Sequence, residues 1–192
     1  VENSLDAGAR SIRVQIEDGG LASIVIEDDG HGIPFAELPL VFERHATSKI
    51  VSSADITRVD SFGFRGEAMA SIASVSRCTL LSRTADEEIG GMIQVAASEI
   101  ERREPAPRNQ GTTLTVEDLF FNTPARRKYM KSPQAEKKAV LQTVQSIALA
   151  YPEVRWRLSA DGVVLLDLLA VDSLPGRARD VLGAPVMDHL AR

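Results

Sequence analysis

Four short strings hold the residue types that could do chemistry, and together they suit a phosphorylated nucleotide with a hard cation. Asn3 and Asp6, in Val1-Glu-Asn-Ser-Leu-Asp-Ala-Gly8, share a face if that segment is helical, and an amide beside a carboxylate offers oxygens to a hard cation. Asp28-Asp-Gly-His-Gly32 follows an apolar run. A carboxylate at a strand end can accept a hydrogen bond from the exocyclic amine of adenine, and Gly30 and Gly32 would let the backbone approach a ligand without a Cβ between them. The same string also fits a plain Asp/Gly loop. Gly63-Phe-Arg-Gly-Glu67 precedes an apolar helical run whose N-terminal amides would favour phosphate. It lacks the Gly-Lys-Ser/Thr ending of a P-loop and is not a G-x-G-x-x-G turn. Gly111-Thr-Thr-Leu114 opens a strand, where Thr112 could offer a hydroxyl to a base or an ordered water.

The elements that must position these residues read as hairpins and helices. Residues 1–8 look like a helix end closed by Gly8, followed by strands over Ser11–Glu17 and Leu21–Glu27 around an Asp18-Gly-Gly20 turn. A short helix is expected over Phe35–Phe42 despite Pro39, a long polar loop over 45–65, and a small-residue helix from Gly66 to about Ser74. Strands follow near Val75–Ser82, Gly91–Ala97 and Thr112–Val116, with Glu104–Gly111 as a loop. Helices over Pro124–Lys131 and Ala135–Ala150 come next, the second with Val140, Leu141, Val144, Ile147 and Ala148 in helical spacing. Strands Glu153–Ser159 and Val163–Leu169 flank the Ala160-Asp-Gly162 turn, and Pro175-Gly176 reads as a linker. Hairpins and helices without a βαβαβ rhythm argue an α+β layered sandwich.

Composition narrows the class. The chain has 192 residues, 44% of them apolar and 26% charged, which is ordinary for a globular domain, and no run approaches a membrane span. The net charge of −5 hides an asymmetry: residues 1–60 carry 5 basic and 11 acidic side chains, whereas residues 102–138 carry 9 basic and 4 acidic. Arg126, Arg127, Lys128, Lys131, Lys137 and Lys138 could neutralise phosphates along a DNA backbone, or simply form a solvated face. The single cysteine, Cys78, lies in an apolar-polar alternation and reads as a buried thiol in a reducing compartment. His31 reads as an exposed loop imidazole, and with His45 and His189 it makes no zinc-ligand spacing.

In their order along the chain, these strings resemble the GHKL ATPases, the superfamily of type II topoisomerase ATPase subunits, ninety-kilodalton heat-shock chaperones, histidine kinases and mismatch-repair MutL proteins. Within that group the agreement is with MutL. It rests on Glu2–Gly8, Arg44-His-Ala-Thr-Ser-Lys-Ile50, Gly63-Phe-Arg-Gly-Glu-Ala-Met69 and Phe121-Asn-Thr-Pro-Ala-Arg-Arg-Lys128, and extends from Val1 to about Leu168. The resemblance implies a two-layer sandwich with a mixed, largely antiparallel sheet covered by helices on one face. It implies ATP and Mg²⁺ as ligands, with Asn3 holding the metal, Asp6 and Ala7 lining the pocket, and Asp28 reading the adenine amine. Gly30 and Gly32 would border the base. Thr47, Ser48 and Lys49 would belong to a lid, Gly63, Phe64, Arg65, Gly66 and Glu67 would face the phosphates, and Thr112 would stand near the base.

The family's general base is a glutamate four residues before the metal-binding asparagine, a position that would precede Val1. Glu2 is adjacent to Asn3 and points about 100° away around a helix. No catalytic residue is therefore expected in this sequence, and negligible turnover is expected of it alone. The expected organisation is a GHKL domain over residues 1–172 without its first helix and N-terminal arm, then a linker and the start of a transducer-like domain over 173–192. The implied role is an ATP-driven switch in DNA mismatch repair in a bacterial cytosol. Its implied partners are DNA bound without sequence preference, a MutS-type mismatch-recognition protein, a downstream nuclease or helicase, and a second copy in an ATP-dependent homodimer, with no membrane. A non-hydrolysing nucleotide- or DNA-binding module, or another GHKL enzyme such as a topoisomerase ATPase subunit, are the alternatives.

Overall fold

A computed structural model describes residues 1–43 and 67–183 of the chain. The elements are α1 (Glu2–Asp6), β1 (Ser11–Glu17), β2 (Ser23–Asp28), a 3-10 helix (Phe35–Phe42), α2 (Ala68–Ala73), β3 (Arg77–Arg83), β4 (Gly90–Ala96), β5 (Glu99–Ala106), β6 (Gly111–Glu117), α3 (Pro124–Arg127), α4 (Pro133–Ala150), β7 (Arg155–Ala160), β8 (Val163–Leu168) and α5 (Leu174–Leu182). The strands form one sheet in the order β5-β4-β3-β6-β2-β1-β7-β8. Every adjacent pair is antiparallel except β1 with β7. This is the mixed, largely antiparallel α+β arrangement expected.

Strand alternation explains which face is covered. In β1, Ile12, Val14 and Ile16 are buried while Arg13, Gln15 and Glu17 are exposed, the period-two signature of a half-buried strand. The buried face meets α4, whose Val144 and Ala148 are buried and whose N-cap Ser132 accepts from the Ala135 amide. Together with Trp156, Leu158, Ala160, Leu166 and Leu168 they form one apolar cluster. A second cluster joins Cys78, Leu80, Ile93, Val95 and Val116 of β3, β4 and β6 to Leu38 and Ala73. The outer face carries ion pairs instead, including Arg13–Glu27 at 3.1 Å and Asp167 with both Arg155 and Arg157 at 3.7 Å. Cys78 is buried, as its alternation predicts, and burial pushes its thiol pKa up.

Three local expectations are corrected. Glu99–Ala106 is strand β5, where no strand was expected before the loop, and its last three residues belong to the Glu104–Gly111 segment read as a loop. Among the described residues it pairs only with β4, and its charged residues and Pro105 are tolerated because no described strand pairs with its other edge. α3 stops at Arg127 rather than Lys131, because the amides of Tyr129 and Met130 bond to Arg126 and Arg127, three residues back, and tighten the turn. The Pro175-Gly176 pair lies in the first turn of α5, with Pro175 tolerated near the helix start and Ser173 accepting from the Gly176 amide at 3.3 Å. The loop expected over 45–65 lies outside the described residues. Among those residues, no helix is long and apolar enough to cross a membrane.

Candidate functional site

The helix-side end of β2 brings the first, second and fourth strings together. Asp28 closes the strand and is buried, and its Oδ1 accepts from the amides of Gly30 (3.0 Å) and Thr112 (3.2 Å). Its Oδ2 accepts nothing among the described residues. Two amides on one oxygen hold the carboxylate in a single orientation, so the other oxygen is a directed acceptor. Thr112 stands directly across from Asp28 in the β2–β6 register, and Ser82 across from Thr112 in the β6–β3 register. These three side chains form a row on the helix-facing side of the sheet.

The loop after β2 fastens this row to α1. His31 N donates to Ala7 O at 3.0 Å. A Cβ on Gly30 would come within 2.7 Å of the Ala7 Cβ, so this glycine is required by the helix and not only by a ligand. Gly32, at φ +77°, has no room for a Cβ because the Arg83 carbonyl occupies it. The two glycines expected to admit a base therefore also admit Ala7 and β3. Asp29 Oδ1 accepts from the amides of Arg10 and Ser11, both at 2.8 Å, where the chain leaves α1 for β1.

α1 spans five residues, too few to be stable alone, and it is held by buried Ser4 and by Leu5 against the larger apolar cluster. Gly8, at φ +70°, ends it, as expected. Asn3 is exposed and Asp6 half-buried on this helix. No group of three or more His, Cys, Asp or Glu among the described residues could hold a metal. A cation at Asn3 would therefore take most of its ligands from phosphate oxygens and water, the set Mg²⁺ favours.

Other expected residues fall apart from this cluster or outside the described chain. Thr47, Ser48, Lys49, Gly63, Phe64, Arg65 and Gly66 lie outside it, and Glu67 sits exposed at the N-cap of α2. Arg126, Arg127, Lys128, Lys131 and Lys138 are exposed around α3 and the start of α4, while half-buried Lys137 pairs with Asp161 at 3.9 Å. His31 is exposed, its Nδ1 2.6 Å from Gly32 O.

Four residues that sequence patterns did not single out shape the site. Ser82 accepts from the Ile33 amide at 2.8 Å and donates to the Gly111 carbonyl at 2.9 Å, while Asp29 holds the amides of Arg10 and Ser11. Arg108 donates to Asp28 O (3.1 Å) and Thr113 Oγ1 (2.9 Å) on the outer face, beside a hollow of about 290 Å³ lined also by Arg13, Glu27 and Gln110. That hollow is on the opposite side of the sheet from the Asp28 carboxylate. Glu87, in the β3–β4 turn, accepts from Phe35 N, Thr84 N and Thr84 Oγ1, and these bonds lower its pKa. Of the four, only Asp29 had a signal in the sequence, as the second acid of Asp28-Asp-Gly.

Comparison with known proteins agrees with this geometry. A family model described as histidine kinase-, DNA gyrase B-, and HSP90-like ATPase matches residues 1–120. DNA mismatch repair protein MutL of Thiobacillus denitrificans is 48% identical over 98% of this chain and 31% of its own length, and that of Thermodesulfovibrio yellowstonii 43% over 99% and 35%. The chain thus spans about a third of these relatives. Among solved structures, the Aquifex aeolicus MutL ATPase domain complexed with ADP superposes with a TM-score of 0.74 at 34% identity, covering 94% of this chain and 64% of that one. The N-terminal domain of a DNA repair protein gives 0.79 at 25% identity, covering 97% and 55%.

Proposed function

Because the chain belongs to the histidine kinase-, DNA gyrase B- and HSP90-like ATPases, we propose that it is the ATP-binding and ATP-hydrolysing switch domain of a MutL-type DNA mismatch repair protein. The observation that carries this reading is the buried Asp28 carboxylate, turned by two backbone amides so that one oxygen is an acceptor for the adenine amine. The ADP complex of the Aquifex aeolicus relative supports the ligand class.

In this reading Thr112 stands beside Asp28 at the base, Ala7 and Asp6 border the nucleotide, and Asn3 offers its amide oxygen to Mg²⁺. The metal supplies charge neutralisation at the phosphates. Thr47–Lys49 and Gly63–Glu67 complete the phosphate side. The exposed cations Arg126, Arg127, Lys128, Lys131 and Lys138 face DNA, whose binding is dominated by phosphate neutralisation. The full protein's partners are a MutS-type mismatch-recognition protein, a downstream nuclease or helicase and a second copy of itself, in a bacterial cytosol.

Thermal unfolding with and without ADP and Mg²⁺ tests the reading. At a ligand concentration about 100 times Kd, linkage adds about 2.7 kcal/mol, or roughly 5–10 °C for a domain of this size. Asp28→Asn keeps an acceptor for the two amides and turns the second oxygen into a donor facing the base amine, so the shift should vanish. No shift in the wild type, or an equal one in the variant, would sink the nucleotide reading.

A further inference from the structure

Ser82 is fully buried in β3 and its hydroxyl meets three groups at once. The Ile33 amide lies 2.8 Å from Oγ, the Gly111 carbonyl oxygen 2.9 Å, and Thr112 Oγ1 2.9 Å. A hydroxyl has one proton and two acceptor lone pairs. The Ile33 amide can only donate, so it occupies one lone pair. The Gly111 carbonyl can only accept, so it takes the proton. The remaining lone pair faces Thr112, which must then supply its own proton to Ser82. The reverse arrangement would leave two acceptors facing each other at 2.9 Å in a buried place, with no proton between them.

We propose that Ser82, without touching the nucleotide, fixes the direction of the Thr112 hydroxyl proton and so sets the preference for a 6-amino over a 6-oxo purine. This rests on the nucleotide reading of the Asp28 site. With its proton held by Ser82, Thr112 Oγ1 presents lone pairs only. Asp28 beside it is also an acceptor, both in its two-amide cradle and at its second oxygen. The floor of the base site therefore offers no donor from either side chain. An amine, or a water that receives its proton, satisfies such a floor; a carbonyl oxygen faces acceptors. Ser82 is thus a positioning and specificity-determining residue that acts through Thr112.

The test compares Kd for ADP and IDP with Mg²⁺, since IDP differs only by its 6-oxo group and the N1 proton that accompanies it. Ser82→Ala frees the Thr112 proton to donate to the 6-oxo group, and the Kd ratio of IDP to ADP should fall about five- to tenfold, the worth of one hydrogen bond. In a Thr112→Val background the same change should leave the ratio where that background puts it, and Ser82→Thr, which keeps the hydroxyl, should retain the wild-type ratio. An unchanged ratio in Ser82→Ala, or an equal fall without the Thr112 hydroxyl, overturns the proposal. A wild-type chain that binds neither nucleotide overturns the nucleotide reading itself. Neutron diffraction of the wild type needs no variant: the Ser82 deuteron is expected on the line to Gly111 O and the Thr112 deuteron on the line to Ser82. The opposite placement overturns the proton assignment whatever the nucleotide result.

Discussion

On one side of β2, strands β1, β7 and β8 are roofed by the eighteen-residue α4; on the other, β6, β3 and β4 are roofed by the eight-residue 3-10 helix and the six-residue α2. The first half is held by apolar contact, with Trp156, Ile12, Ile16 and Leu158 essentially excluded from water. The second has a smaller apolar cluster and adds polar pins. Glu87 grips Phe35 N, Ser82 grips Ile33 N, and Arg103 lies 4.4 Å over the Phe35 ring while donating to its carbonyl at 2.7 Å. Apolar burial is non-directional, whereas each pin fixes one backbone group in one place. In the half that must hold the loop beyond Asp28 in register, directional bonds to that loop are added to a smaller apolar cluster.

This contrast breaks most visibly at Trp156. Replacing it with alanine should cost about 3–5 kcal/mol and lower Tm on the order of 10 °C, measured by thermal unfolding. A loss no larger than that of a surface substitution would show that the α4 half is not the stabilising one. Next in size is the nucleotide-dependent shift, which Asp28→Asn should remove while changing the ligand-free Tm far less than Trp156→Ala does.

A smaller effect sharpens the comparison at Glu87. Its carboxylate pKa is lowered, first by the Phe35 amide and then by Thr84. The stability it contributes is therefore complete above the ordinary carboxylate range and lost as pH falls through the lowered folded value. Glu87→Gln should lower Tm by roughly a degree or two at pH 7, with the gap to wild type closing as pH falls below the ordinary carboxylate range. A gap that stays constant with pH would mean the charge is not what holds the 3-10 helix. Smallest in stability is Arg126→Glu with Lys128→Glu, expected within about 0.5 kcal/mol of wild type because both are exposed. The same pair should reduce the salt dependence of DNA binding by about 0.9 in log–log slope for each DNA phosphate that is no longer neutralised. An unchanged slope would remove these residues from the DNA-binding surface.

The α4 half was legible in the sequence because its signals are periodic: alternation in β1 and β7, and the 3.6-residue spacing of Val140, Val144 and Ala148. Asp28 and its glycines were legible as a local string. Strand β5 was not, because Glu-Ile-Glu-Arg-Arg-Glu-Pro-Ala at the edge of the described sheet carries no buried alternation. α5 was hidden by Pro175-Gly176, a turn signal that Ser173 converts into a helix start by capping. Ser82 was invisible for a different reason. Its role depends on standing opposite Thr112, thirty residues away, and no local pattern announces a cross-strand register.

Adjacent carboxylates in Asp28-Asp29 face different tasks. Asp28 turns toward Thr112, while Asp29 holds the amides of Arg10 and Ser11, and the next residues, Gly30 and His31, meet Ala7. Residues 7–11 and 28–31 are thereby bolted together at several points, and Asn3 lies one helical turn before the first of them. Neither segment can gain or lose a residue without dragging the other out of phase. Length, as well as identity, is what these two stretches must keep: a single-residue insertion after Gly8 would leave every named side chain present and still separate the base end of the site from its metal end.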